Sequence, residues 1–168
     1  NNTHSGNISL RDPENPDIFY ITAGGSQTGA LIRDDMVPLS FSGVSWGDAR
    51  ASSESTIHRQ ILMNPGVNCV IHAHTISTTA TSFDTRDKQI CLIYQGEDEK
   101  NREEFKLVPV DLYGANIVGP VNVASYLAPV GSAEMEERIP KYLKKDKMTI
   151  VRGHGPFARG QCMEEVLQ

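Results

Sequence analysis

The nine residues Val67-Asn-Cys-Val-Ile-His-Ala-His-Thr75 carry two of the chain's five histidines, two positions apart, at the end of an apolar run. On a helix, side chains two apart do not face each other. On a strand they stand on the same face. Period two then groups Val67, Cys69, Ile71 and Ala73 on one face, small and apolar enough to pack on a helix layer. Val70, His72 and His74 take the other face. Two steps at a rise of ~3.3 Å separate the imidazoles by about 7 Å along the strand, close enough to converge on one ion. Such a pair is either a two-ligand metal pincer or simply two hydrogen-bonded histidines.

Working outward from this strand, Asn64-Pro-Gly66 stops a helix that Ser52-Ser-Glu54 opens. The serines suit an N-cap, and Ile57, Ile61 and Leu62 form an apolar face. Upstream, 7–11, 17–22 and more weakly 39–43 read as strands, with Ala23-Gly-Gly-Ser-Gln-Thr-Gly29 a loop whose backbone can approach a ligand closely. Downstream, 88–94 and 106–113 are predicted strands, the latter with an edge-type Pro109. The charged segment 96–104 between them reads as a solvated loop or surface helix. Gly131-Ser132 starts a helix with the stripe Met135, Ile139, Leu143, which Pro140 should bend or delay. A last strand, 148–152, runs into Gly153-His-Gly-Pro156. Interspersed strands and helices predict an α/β class with a mixed sheet between layers. With 168 residues, no internal repeat and no linker, one domain over 1–168 is expected.

The net charge of −5, with no basic cluster outside a helix end at 141–147, excludes an electrostatic nucleic-acid binder. No apolar run approaches the ~18 residues of a membrane helix, so no membrane partner is expected. Cys69, Cys91 and Cys162 are odd in number and widely spaced, as reduced thiols of a cytoplasmic protein would be. The chain opens at Asn1 without an initiator Met and stops at Gln168 inside a helical pattern. An excerpt lacking a few residues at both termini is therefore expected.

A third histidine, His154, lies between two glycines at the end of another strand. Three neutral imidazoles suit Zn²⁺ with one coordination position left open for chemistry. Glu54, in the first turn of its helix, is the candidate acid–base partner. Ser52 and Ser53 at the same helix terminus form a candidate anion site.

Taken in order, Gly6-Asn-Ile-Ser-Leu-Arg11, Ile21-Thr-Ala-Gly-Gly25, Ser52-Ser-Glu54 with His58, His72-Ala-His74 and Gly153-His-Gly155 resemble the class II aldolase/adducin family. That family is typified by fuculose-phosphate and rhamnulose-phosphate aldolases and ribulose-phosphate 4-epimerase. The resemblance runs from about residue 5 to 160. It implies a three-layer α/β/α fold with a mixed, mostly antiparallel sheet, and a homotetramer with active sites between subunits. It implies a divalent metal, usually zinc, on His72, His74 and His154, with Glu54 both ligating the resting metal and serving as base. Asn7, Gly25, Ser52 and Ser53 match the family's phosphate pocket, and Tyr126 is the nearest match to its proton donor. His58 matches as a residue behind the metal set, or a structural one. The implied activity is cleavage or formation of a C–C bond in a ketose, in all expectation phosphorylated, through an enediolate. The alternatives are a metal-dependent epimerase, dehydratase or decarboxylase, or a non-catalytic adducin-like binding domain. Glutamate at 54, where the epimerases carry aspartate, favours aldol chemistry. The loop Ile21-Thr-Ala-Gly-Gly25 departs from the family's Ile-Thr-Pro-Ser/Thr-Gly and removes one hydroxyl from the pocket.

Overall fold

A computed structural model describes residues 5–42, 50–83, 93–97, 103–109, 111–125 and 131–167. Nine strands form one sheet: β1 (Gly6–Arg11), β2 (Ile18–Thr22), β3 (Met36–Ser40), β4 (Cys69–Ala73), β5 (Ile93–Glu97), β6 (Glu103–Leu107), β7 (Val121–Ala124), β8 (Met148–Val151) and β9 (Gly155–Gly160). The order is β3-β2-β1-β4-β9-β8-β7-β6-β5, and among the described residues only β7 and β8 pair in parallel. Among the described residues five α-helices accompany it: α1 (Ser55–Leu62), α2 (Ile76–Phe83), α3 (Leu112–Ile117), α4 (Ala133–Tyr142) and α5 (Met163–Leu167).

The layers follow from strand parity. Cross-strand partners share a face, so Phe19, Ile21, Val70 and Phe157 lie on one side of the sheet. There they meet Ile57, Ile61 and Leu62 of α1 and Met135 and Ile139 of α4 in the main core. The opposite side of β4 presents buried Cys69 to Met163 of α5, so both faces are covered and the fold is α/β/α. Among the described residues no helix is long and apolar enough to cross a membrane.

Several boundaries differ from the sequence reading. The predicted strand at 39–43 lies earlier, at Met36–Ser40, paired along its length with β2. The strand expected over 106–113 ends at Leu107. Asp111 instead caps α3, its carboxylate accepting the Gly114 N–H at 2.7 Å. An acceptor side chain after a proline suits a helix start better than a ladder. The charged 96–104 segment contributes to strands at both ends, Gly96–Glu97 closing β5 and Glu103–Glu104 opening β6. An outermost hairpin needs no apolar run, which is why charge density misled there. Of the predicted 88–94 strand, residues 88–92 lie outside the described residues.

Helix α4 starts without delay at Ser132, whose hydroxyl accepts the Met135 N–H, and Pro140 sits buried near its end. Ser52 and Ser53 are not the caps of α1: Glu54 holds the cap position without capping, because its carboxylate is turned elsewhere. Strands β7 and β9 and helix α2 were not read at all. Strand β9 hides behind the Gly155-Pro156 punctuation, and α2 is rich in threonine, a poor helix former.

Two glycines set the packing at the centre. Gly6 (φ +127°) and Gly155 (φ +156°) cross β4 so closely that a Cβ would fall on the carbonyl oxygens of His72 and Ala73 respectively. Gly155→Ala is expected to destabilise the protein by about 2–4 kcal/mol, from strain plus overpacking, as a lowered denaturant midpoint with unchanged m-value.

Candidate metal centre and catalytic cleft

The β1–β4–β9 ladder places Asn7 opposite His72, and His72 opposite Phe157. Phe157 stacks on the His72 ring at 4.0 Å between centroids, locking its plane. The His72 Nδ1–H donates to the Pro156 carbonyl at 2.9 Å, so Nε2 carries the lone pair. His74 follows two residues on, and His154 arrives from the turn between β8 and β9. The three Nε2 atoms form a triangle with edges of 2.8, 2.9 and 3.1 Å.

That triangle can hold a divalent cation. Nitrogens bound at ~2.0–2.1 Å around a tetrahedral ion sit about 3.3 Å apart, only slightly wider than the edges observed. The electrostatics agree. Burial pushes the His72 imidazole down to about 3, against the raising effect of Glu54, and burial also lowers His74. Both rings are therefore neutral near pH 7, as ligands must be.

Glu54 completes the cluster. Its side chain is 3% exposed. Oε2 lies 3.6 Å from His72 Nε2, and Oε1 lies 3.6 Å from His154 Nε2. Oε1 is buried with no hydrogen-bond partner, an uncompensated carboxylate oxygen beside three imidazoles, and a cation there would satisfy it. Oε2 accepts a 2.6 Å hydrogen bond from Asn7 Nδ2, which also reaches Ser52 Oγ at 3.1 Å. Burial acts to raise the Glu54 pKa. His154, His72 and Asn7 outweigh it and bring the group down to about 2.

The cluster opens on a cleft of about 410 Å³, within the range of small-molecule sites. Asn7, Gly25, Ser52 and Ser53 all line it, with Glu54 and His74, and the loop 23–27 forms its far wall. Gly25 has φ +81° and open space where a Cβ would stand, so the loop turns with its backbone bare to the cleft. Tyr126 lies outside the described residues. His58 is not part of the triangle: fully buried, it bonds Ser9 Oγ through Nδ1 at 2.7 Å and sets its ring edge-on to Phe157.

The whole chain, 1–168, matches the family model for the class II aldolase and adducin N-terminal domain, and the chain belongs to that family. Among curated proteins, it is 27% identical to a methylthioribulose-1-phosphate dehydratase of Leptospira biflexa, over 96% of this chain and 78% of that protein. A Bacillus mycoides protein of the same name is also 27% identical, over 90% of this chain and 67% of that one. Among solved structures, an l-fuculose-1-phosphate aldolase from Thermus thermophilus superposes with a TM-score of 0.75 at 26% identity. It aligns with 98% of this chain and 73% of its own.

Burial holds the His58 pKa down at about 4, slightly offset by Glu54. Free histidine titrates near 6.5, so below that pH the unfolded chain takes up a proton that the folded chain refuses. Stability should therefore fall as pH drops from about 6.5 to 4, with His58 contributing roughly 2–3 kcal/mol of the loss. In metal-free protein, His58→Gln should flatten the slope of unfolding free energy against pH in that window. His72 keeps part of the slope in the same sense.

Proposed function

We propose that the chain is a divalent-metal lyase acting on a phosphorylated ketose, with zinc as the ion on His72, His74 and His154. One observation carries this reading: Glu54 sits buried between the imidazole triangle and the lining of the cleft, joined to both. A cation held there supplies Lewis-acid polarisation of a substrate carbonyl. Asn7, Ser52, Ser53 and the Gly25 backbone bind the phosphate, which fixes the ketose with its reacting carbons over Glu54. Glu54 then takes the proton from the carbon beside the carbonyl. Burial favours its neutral form, and Asn7, one of the neighbours that hold it ionised, is a group the phosphate would engage, so the carboxylate becomes a better base on binding.

Two activities diverge once the proton has left. In aldol chemistry the carbon attacks an aldehyde, Tyr126 protonates the new alkoxide, and cleavage is the reverse. In dehydration the β-hydroxyl leaves instead, protonated as it departs. Glutamate at 54 and the likeness to the fuculose-phosphate aldolase support the aldol reading. The curated dehydratase relatives support the second. Incubation with a panel of ketose 1-phosphates decides between them. Release of dihydroxyacetone phosphate marks the aldolase, and a diketone trapped by a phenylenediamine marks the dehydratase. Neither product from any substrate, with no zinc in the purified protein, would leave an adducin-like binding domain.

The same proposal includes a single catalytic domain over 1–168, a homotetramer with sites between subunits, and a cytoplasmic setting, for which the unpaired Cys69 and Cys162 speak. Light scattering tests the tetramer. For the site, Glu54→Gln should retain metal while turnover falls by about 10²-fold or more, whereas His74→Ala should lose both. Elemental analysis and initial rates on the same preparations check the pair.

A further inference from the structure

The antiparallel ladder between β4 and β9 ends at the pair His72–Phe157. His74 and His154 lie beyond it, where the His74 N–H reaches the Ser5 carbonyl at 3.4 Å and the His154 N–H bonds the Val151 carbonyl at 3.0 Å within the β8–β9 turn. Helix α2 adds a second hold there. It begins at Ile76, two residues after His74, and Thr79 N–H bonds back to the Thr75 carbonyl. Its next turn reaches the turn that carries His154.

Two hydroxyls from one face of α2, three residues apart, grip that turn on both sides of the histidine. Ser82 Oγ accepts the Gly153 N–H at 2.9 Å, and Thr79 Oγ1 donates to the His154 carbonyl at 3.2 Å. Ser82 is buried, and its own proton goes to the Thr79 carbonyl at 2.6 Å, which leaves the oxygen lone pair aimed at Gly153. Phe83 lies against the same turn: a Cβ on Gly153, whose φ is +74°, would sit 2.5 Å from its ring. The segment that supplies His74 thus folds back to hold His154.

We propose that Thr79 and Ser82 are positioning residues for the metal centre, setting the distance between the His154 and His74 nitrogens, now 3.1 Å. They touch neither the ion nor the cleft lining, and act only through the His154 backbone. The inference rests on the metal reading above. In a site of three imidazoles, loosening one corner weakens capture of the ion and alters its coordination.

The test uses metal-stripped full-length chain and Co²⁺, titrated against a chromophoric chelator, with the visible absorption of the Co²⁺ form recorded. Ser82→Ala and Thr79→Val should each bind Co²⁺ about 10–100-fold more weakly with a changed spectrum, and Thr79→Ser should match the parent. Valine keeps the shape of threonine and loses the hydroxyl, while serine does the reverse. A packing role would therefore spare Val and penalise Ser, and that pattern would overturn the proposal. If Ser82→Ala fails to fold, as judged by thermal unfolding of the metal-free protein, the Thr79 pair decides alone. Parent-like affinity and spectrum in Thr79→Val sinks the positioning role while leaving the metal site intact. A parent chain that takes up no Co²⁺ sinks the metal reading, and this inference with it.

Discussion

Three imidazole nitrogens and a carboxylate share one corner of this protein's interior, and most of the surrounding structure serves to bring them there. Their meeting is costly without a positive charge at the centre. The imidazole nitrogens crowd within 3.1 Å of one another, Glu54 Oε1 has no donor, and burial denies water access to His72 and Glu54. Protonating the rings is not an easy remedy, because burial disfavours the charged form of His72 and His74. A divalent ion relieves all of these at once. The close strand crossings at Gly6 and Gly155, the stacked Phe157 and the Pro156 carbonyl are the means by which the fold enforces the encounter.

The same corner explains why one scaffold suits more than one reaction. Removing a proton beside a carbonyl precedes either C–C bond making or loss of a β-hydroxyl. Asn7, Ser52 and Glu54 form a bonded chain from the cleft wall to the imidazoles, so under the proposed function anchoring a substrate and readying the base would use the same side chains. What differs between the two outcomes is the group that serves the leaving oxygen, and that group need not disturb this chain of contacts.

Much of this was legible in the sequence where period and punctuation agree. His72 and His74 share a face because strand period is two, and Asn64-Pro-Gly66 marks the end of α1. Glu54 beside Ser52 and Ser53 could be read as a helix start, though not that the carboxylate would forgo capping to face the histidines. Other features left no local trace. Helix α2 is built from threonine and serine, whose propensities argue against it, and it forms because tertiary contacts to the His154 turn compensate. The inner ends of the β5–β6 hairpin, 96–97 and 103–104, read as a loop or surface helix because an outer strand needs no apolar alternation. The turn of Asp111 into α3 depended on a cap competing with a ladder, a contest composition alone does not settle.

The strand order also fixes when the site can exist during synthesis. Asn7 leaves the ribosome before Glu54 and the His72–His74 pair, and His154 after them, yet β9 is the neighbour that seats beside β4. Until that late strand inserts between β4 and β8, the nascent chain offers two imidazoles and an incomplete pocket. An ion held by all three imidazoles, as proposed, could therefore be captured only once that strand is in place.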